Sequence, residues 1–86
     1  MNSICISGKL REAIDDKYRL LEYELPYFEE PTSGESKIVC RYWSNQESTR
    51  LHAIEDNSRV LIQAHLEGHE KFGTILVVEQ IEIMHQ

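Results

Sequence analysis

Cysteine is scarce in this 86-residue chain: Cys5 and Cys40 are too few for a disulfide framework and lack the short spacing of a metal-binding pair. Their isolation points to reduced thiols in a cytosol-like compartment, hence to a cytoplasmic protein. Long apolar runs are missing too. Nothing approaches the ~20 residues of a membrane helix, and Met-Asn-Ser-Ile-Cys-Ile at the N-terminus lacks the basic-then-apolar pattern of a secretory signal. A soluble protein without a membrane partner is expected. Basic charge is in short supply, with 9 Lys and Arg against 15 Asp and Glu and a net charge of -6. That balance disfavours a polyanionic partner, because nonspecific nucleic-acid affinity comes from released counterions; a local basic face can still survive inside an acidic total. Internal repeats and low-complexity segments are absent. There is also no paired acid–base set, no Ser-His-Asp arrangement and no phosphate-cradling glycine loop. No enzyme activity and no cofactor are expected.

What the chain has is alternation. Hydrophobic residues make up 41%, enough for one folded domain over residues 1–86. From Ser3 to Arg11, Ile4, Ile6, Gly8 and Leu10 share one face of a first strand. Gly8 inside that strand signals a bend, a bulge or a close backbone approach. Ala13 to Asp16 reads as a turn. Leu21, Tyr23 and Leu25 line a second strand over Tyr18–Leu25, which at Pro26 should end or run along an edge. A loop around Pro31 to Gly34, flanked by Glu29, Glu30 and Glu35, precedes a third strand from Lys37 to Trp43. There Ile38, Cys40 and Tyr42 face one way, and Lys37, Val39, Arg41 and Trp43 the other.

The period then changes. Ser44-Asn-Gln-Glu47 matches a capping box, and Leu51 with Ile54 falls at i, i+3 spacing, so a short helix is expected over Asn45–Glu55. Ser58 to Met84 reads as a β-hairpin. Val60, Ile62, Ala64 and Leu66 form the inner face of its first strand, a polar loop runs from Glu67 to Gly73, and a largely apolar second strand follows. Five strands with a helix between the third and fourth is the order of an OB-fold, a small mainly-β Greek-key barrel, and that is the fold class expected.

Particular residues carry a family resemblance. Asn57-Ser-Arg-Val-Leu-Ile-Gln-Ala-His-Leu66 resembles the fourth strand of bacterial single-stranded DNA-binding proteins, which has a Gly-Ser-Arg-Val-hydrophobic-Val-Glu-Gly-Arg-Leu type of motif. Thr74 to Met84, ending Ile81-Glu82-Ile83-Met84, resembles that family's fifth strand, and Ile6-Ser7-Gly8-Lys9-Leu10 its first. The pattern is also similar to short single-domain relatives among primosomal, cyanobacterial and plastid proteins. The resemblance implies an OB barrel that stacks bases on aromatic side chains and meets phosphates with Lys and Arg. It places Trp43 near the family's aromatic at the end of the third strand, and Phe72 near the one in the loop before the fifth, with Lys71 beside it. Lys37, Arg41 and Trp43 then form a basic-aromatic stripe, and Lys9, Arg11 and Arg59 are further phosphate contacts.

The chain also departs from that pattern. Lys37 stands about where the family's third strand begins with tryptophan, the basic loop before the fifth strand shrinks to Gly68–Gly73, and Gln63-Ala64-His65 replaces a Glu-Gly-basic run. The family's disordered linker and acidic tail have no counterpart before Gln86, so tail-dependent recruitment of replication and repair enzymes is not expected.

Each singled-out residue has a plainer reading as well. Trp43 and Phe72 also fit partial core or interface positions. His65 and His69, with Glu70 and His85, do not make a metal set, since three well-placed ligands are required and the alternation puts them at a strand end. Cys40, in phase with Ile38 and Tyr42, reads as a small buried hydrophobe. Two functions follow. One is a noncatalytic binder of single-stranded DNA, or of RNA, in a homo-oligomer (dimer or tetramer). The other is an assembly module that keeps the barrel without strong nucleic-acid affinity and docks through Leu20, Val39 and Leu61.

Overall fold

The computed structural model describes residues 3–23, 37–44, 46 and 49–84. Five strands and one short helix follow one another as β1 (Ile4–Ala13), β2 (Tyr18–Tyr23), β3 (Lys37–Tyr42), α1 (Thr49–His52), β4 (Arg59–His69) and β5 (Gly73–Ile83). The sheet closes into a ring in the order β1-β2-β3-β5-β4. All pairings are antiparallel except β3 with β5, which run parallel. Closure leaves every strand with two neighbours. Among the described residues no helix is long and apolar enough to cross a membrane.

Alternation decides the inner face as expected. Leu10, Leu21, Cys40, Tyr42, Val60, Ile62, Ala64, Leu76 and Val78 form the core, with Ile4, Ile6, Ile38 and Leu66 packed against it. Leu51 of α1, fully buried, joins this core. Gly8 resolves into the close approach among its three options. A Cβ there would collide with the Glu22 carbonyl oxygen and lie 2.7 Å from Tyr23 Cα, where β2 crosses β1.

Three boundaries differ from expectation. β1 runs on to Ala13, which pairs with Arg19 after a register shift beyond Leu10, so the turn begins at Ile14 instead of Ala13. The helix is confined to Thr49–His52 among the described residues, shorter than Asn45–Glu55; Asn45 and Glu47 of the capping box lie outside them. Leu25 at the end of the expected second strand, and the loop around Pro31, also lie outside. The hairpin loop is shorter than Glu67–Gly73, since β4 continues to His69 and β5 restarts at Gly73. His65, Glu67 and His69 alternate with buried Ala64, half-buried Leu66 and exposed Gly68, and this polar run mimics a loop. Gly73, at φ 83°, takes the left-handed conformation that closes so short a connection. His69 Nδ1 accepts the backbone N–H groups of Lys71 (3.0 Å) and Phe72 (3.3 Å), completing the turn.

One core occupant was not legible. Arg19 lies in phase with Leu21 on the inner face of β2 and is 2% exposed. Its Nε donates to the Arg11 carbonyl (2.7 Å), one terminal nitrogen to the Leu51 carbonyl (2.7 Å) and the other to Asp56 (2.9 Å). The guanidinium thereby ties β1, α1 and the turn before β4 together. Burial pushes the Cys40 thiol up to about 12, and its Sγ donates to the Arg19 carbonyl at 3.3 Å. Such a thiol stays protonated and unreactive.

Candidate nucleic-acid interface

β5 lies between β3 and β4 and is apolar on both sides through Ile75–Val78, all 2% exposed or less. Leu76 and Val78 belong to the core, while Val77 belongs to the outer face, where register sets Arg41 on one side of it and His65 on the other. Over Val77 opens a cleft of about 600 Å³ lined by Arg41, Trp43, His65, Glu67 and Glu79, with glutamines beside them. Trp43, just past the end of β3, is 55% exposed. Its backbone N–H is fixed to the Val78 carbonyl at 2.9 Å, and its ring leans on Tyr42 with centroids 6.2 Å apart.

The charges in the cleft form a chain. Arg41 donates to Glu67 Oε1 at 3.3 Å, His65 Nε2 meets Glu67 Oε2 at 2.8 Å, and His65 Nδ1 meets Glu79 Oε2 at 2.9 Å. Carboxylates only accept, so both ring nitrogens must donate and the geometry is that of an imidazolium. The hydrogen bond to Glu67, then that to Glu79, raises the His65 pKa above its ordinary value; the bond from His65 correspondingly holds Glu67 below the usual carboxylate range. Glu79 reaches His65 because it is the extra residue of a bulge: Gln63 pairs with Gln80, and Ala64 with Val78.

A second cluster forms where the hairpin tip meets the start of β2. The Tyr18 ring lies 5.2 Å from both the His69 and Phe72 rings, and His69 lies 4.8 Å from Phe72. Because His69 Nδ1 accepts two backbone donors, Nε2 carries the proton and donates to the Tyr18 hydroxyl at 3.1 Å. Lys71 Nζ sits 5.5 Å from the Phe72 ring centre. The turn between β1 and β2 is set by Asp15, which accepts the N–H groups of Lys17 and Tyr18 at 2.8 Å each. Those two bonds hold the Asp15 carboxyl below its usual range, with Lys71 and His52 adding to the effect. His52 of α1 donates to the Asp15 carbonyl at 2.8 Å and steadies the same turn.

The expected contact residues therefore divide. Arg41 and Trp43 share the cleft, and Lys71 and Phe72 share the hairpin tip. Lys37 is exposed at the start of β3, across from Glu22. Arg11 pairs with Glu22 at 3.5 Å. Lys9 and Arg59 face each other across β1 and β4, away from both clusters. Phe72, expected on an exposed tip, is half-buried against Tyr18. Tyr18, His65, Glu67, Glu79 and His69 were not among the expected contacts. The i, i+2 spacing of His65 and Glu67 on an alternating strand was a usable signal for that pair; nothing in the sequence marks the Glu79 bulge. Among the described residues no group of three or more His, Cys, Asp and Glu is placed to hold a metal ion.

No protein-family model and no curated protein sequence matches this chain.

Proposed function

We propose that the chain is a noncatalytic single-stranded DNA-binding protein on an OB-fold Greek-key barrel. The observation that carries this reading is the placement of aromatic and basic groups on the ring. Strands β2 and β3, the turn between β1 and β2, and the β4–β5 hairpin are the parts with which OB barrels take oligonucleotides. Here they hold Tyr18, Arg41, Trp43, Lys71 and Phe72. Exposed indole over an apolar floor suits a base, since stacking contributes about 1–3 kcal/mol per base and tolerates any sequence. Arg41 and Lys71 lie beside the two aromatic clusters, where phosphates of a stacked strand would run, and Lys37 extends the same strand face. Lys9, Arg11 and Arg59 serve as outlying contacts for a longer strand.

Trp43 is the chain's one tryptophan, so its fluorescence reports on the cleft directly. Titration with oligothymidine at low salt is expected to quench it, and Trp43→Ala to weaken a gel shift about tenfold. The salt slope should be shallow, about -2, for a surface that offers roughly three phosphate contacts. Absence of quenching at micromolar protein, with an unchanged gel shift for the variant, sinks the reading. Oligouridine in parallel decides between DNA and RNA.

A second reading has its own observation. Leu61 is 37% and Ile83 44% exposed, and both line a groove of about 580 Å³ together with Cys5, Ile54 and Ile81. An assembly module, homo-oligomeric through that groove, would use this apolar surface. Light scattering that shows an oligomer which Leu61→Glu dissociates, with no quenching by nucleic acid, supports it over the first.

A further inference from the structure

The charged chain over Val77 is more than a lining for the stacking residue. Along it the charges run Arg41 positive, Glu67 negative, His65 positive, Glu79 negative. With His65 protonated the four sum to zero. With His65 neutral they sum to -1, and one ring nitrogen can no longer donate. One carboxylate then loses its bond to His65 and faces the cleft beside Trp43. If that carboxylate is Glu67, Arg41 becomes its sole partner and is held more firmly. Arg41, the cation of the described lining that could meet a phosphate, is then least available when the cleft is most negative.

We propose that this chain makes binding at the Trp43 cleft proton-linked: a single strand docks most tightly when His65 is imidazolium and is released as the pH rises. This rests on the proposed function and adds its regulation. Among the described residues, the charged groups that face His65 or its partners are Arg41 from β3, Glu67 from β4 and Glu79 from β5; the rest of the lining is Trp43, Gln63, Gln80 and Val77, none of which titrates near neutrality. The upward shift of His65, caused by its two carboxylate bonds, sets the transition above the ordinary histidine value of 6.5. By reciprocity, a bound strand must raise the His65 pKa further and take up a proton.

The test is an oligothymidine titration of Trp43 fluorescence from pH 5.5 to 8.5 at constant low ionic strength, with wild type and His65→Gln. Affinity in wild type should hold below about pH 6 and then fall about fivefold, the effect of one added charge at cleft range. His65→Gln should lose that dependence. The His65 ring resonances, followed by NMR, should titrate at higher pH with oligothymidine bound than without it. Binding that is flat across the range, or a fall that His65→Gln retains, overturns the proton linkage while leaving the binding reading intact. No quenching at any pH overturns both.

Discussion

The inner end of the ring and its outer cleft each hold an arginine against a carboxylate. Inside, Arg19 is 2% exposed and spends its donors on two carbonyls and Asp56. Outside, the Arg41 side chain is 24% exposed, with one bond to the Tyr42 carbonyl and one to Glu67. The two ion pairs look alike in chemistry, yet they answer to different physics. A guanidinium out of water must have its donors satisfied within the protein, and its partners are then as fixed as the fold. At the surface, water and salt screen the pair, its net contribution is small, and a phosphate can replace the carboxylate. The first arginine is part of the architecture; the second is free to exchange.

That contrast is sharpest at Arg19. Replacement by Lys should destabilise the fold by about 3 kcal/mol in urea unfolding, because one ammonium cannot reach three separated acceptors. Asp56 is 63% exposed, so Asp56→Asn should cost only about 0.5 kcal/mol. If Arg19→Lys were as mild as that, the inner arginine would be no more structural than the outer one. Next comes Gly8→Ala, which drives a methyl into the β2 backbone at Glu22 and Tyr23. A loss of about 2 kcal/mol is expected, in the range of core overpacking, with no change in nucleic-acid affinity per folded molecule.

The sequence makes the inner face legible because strand alternation is a strict, local signal. Ile4, Leu10, Leu21, Cys40, Ile62 and Ala64 all fall where period two puts them. Arg19 escaped that pattern although it lies in phase with Leu21, since a charged residue reads as outward unless its partners are known. Its partners lie 8, 32 and 37 positions away. The cleft was legible only by halves. Arg41 and Trp43 follow from one strand's alternation, whereas His65, Glu67 and Glu79 join them through the β3–β5–β4 pairing and a bulge. The hairpin tip was misjudged because His69 and Gly73 supply turn closure that no apolar pattern announces.

On the outer side, Glu67→Gln should release Arg41 and remove one negative charge from the cleft. Oligothymidine affinity is expected to rise about threefold at low salt, with the gain vanishing near 1 M salt, where the screening length is about 3 Å. The urea midpoint should not move. A loss of affinity would mean that Glu67 positions Arg41 for the strand instead of competing with it, and the contrast with Arg19 would narrow.

The smallest expected effect is on stability itself, and it separates the two regions by pH. His65 has its pKa raised in the fold, so the stability it contributes is full below about pH 6.5 and is lost as pH climbs through the folded value. Glu67 has its pKa lowered, so its contribution is full above about pH 4.5 and is lost as pH falls through the folded value. The outer chain is therefore worth most between about pH 4.5 and 6.5. Thermal unfolding at low salt should show a shallow decline from pH 6.5 to 8.5 that His65→Gln flattens and about 1 M salt abolishes. Asp56 is no part of the chain around His65, so Asp56→Asn should leave the decline as it is. A decline that persists in His65→Gln would place the titrating group elsewhere and leave the outer carboxylates as plain surface charges.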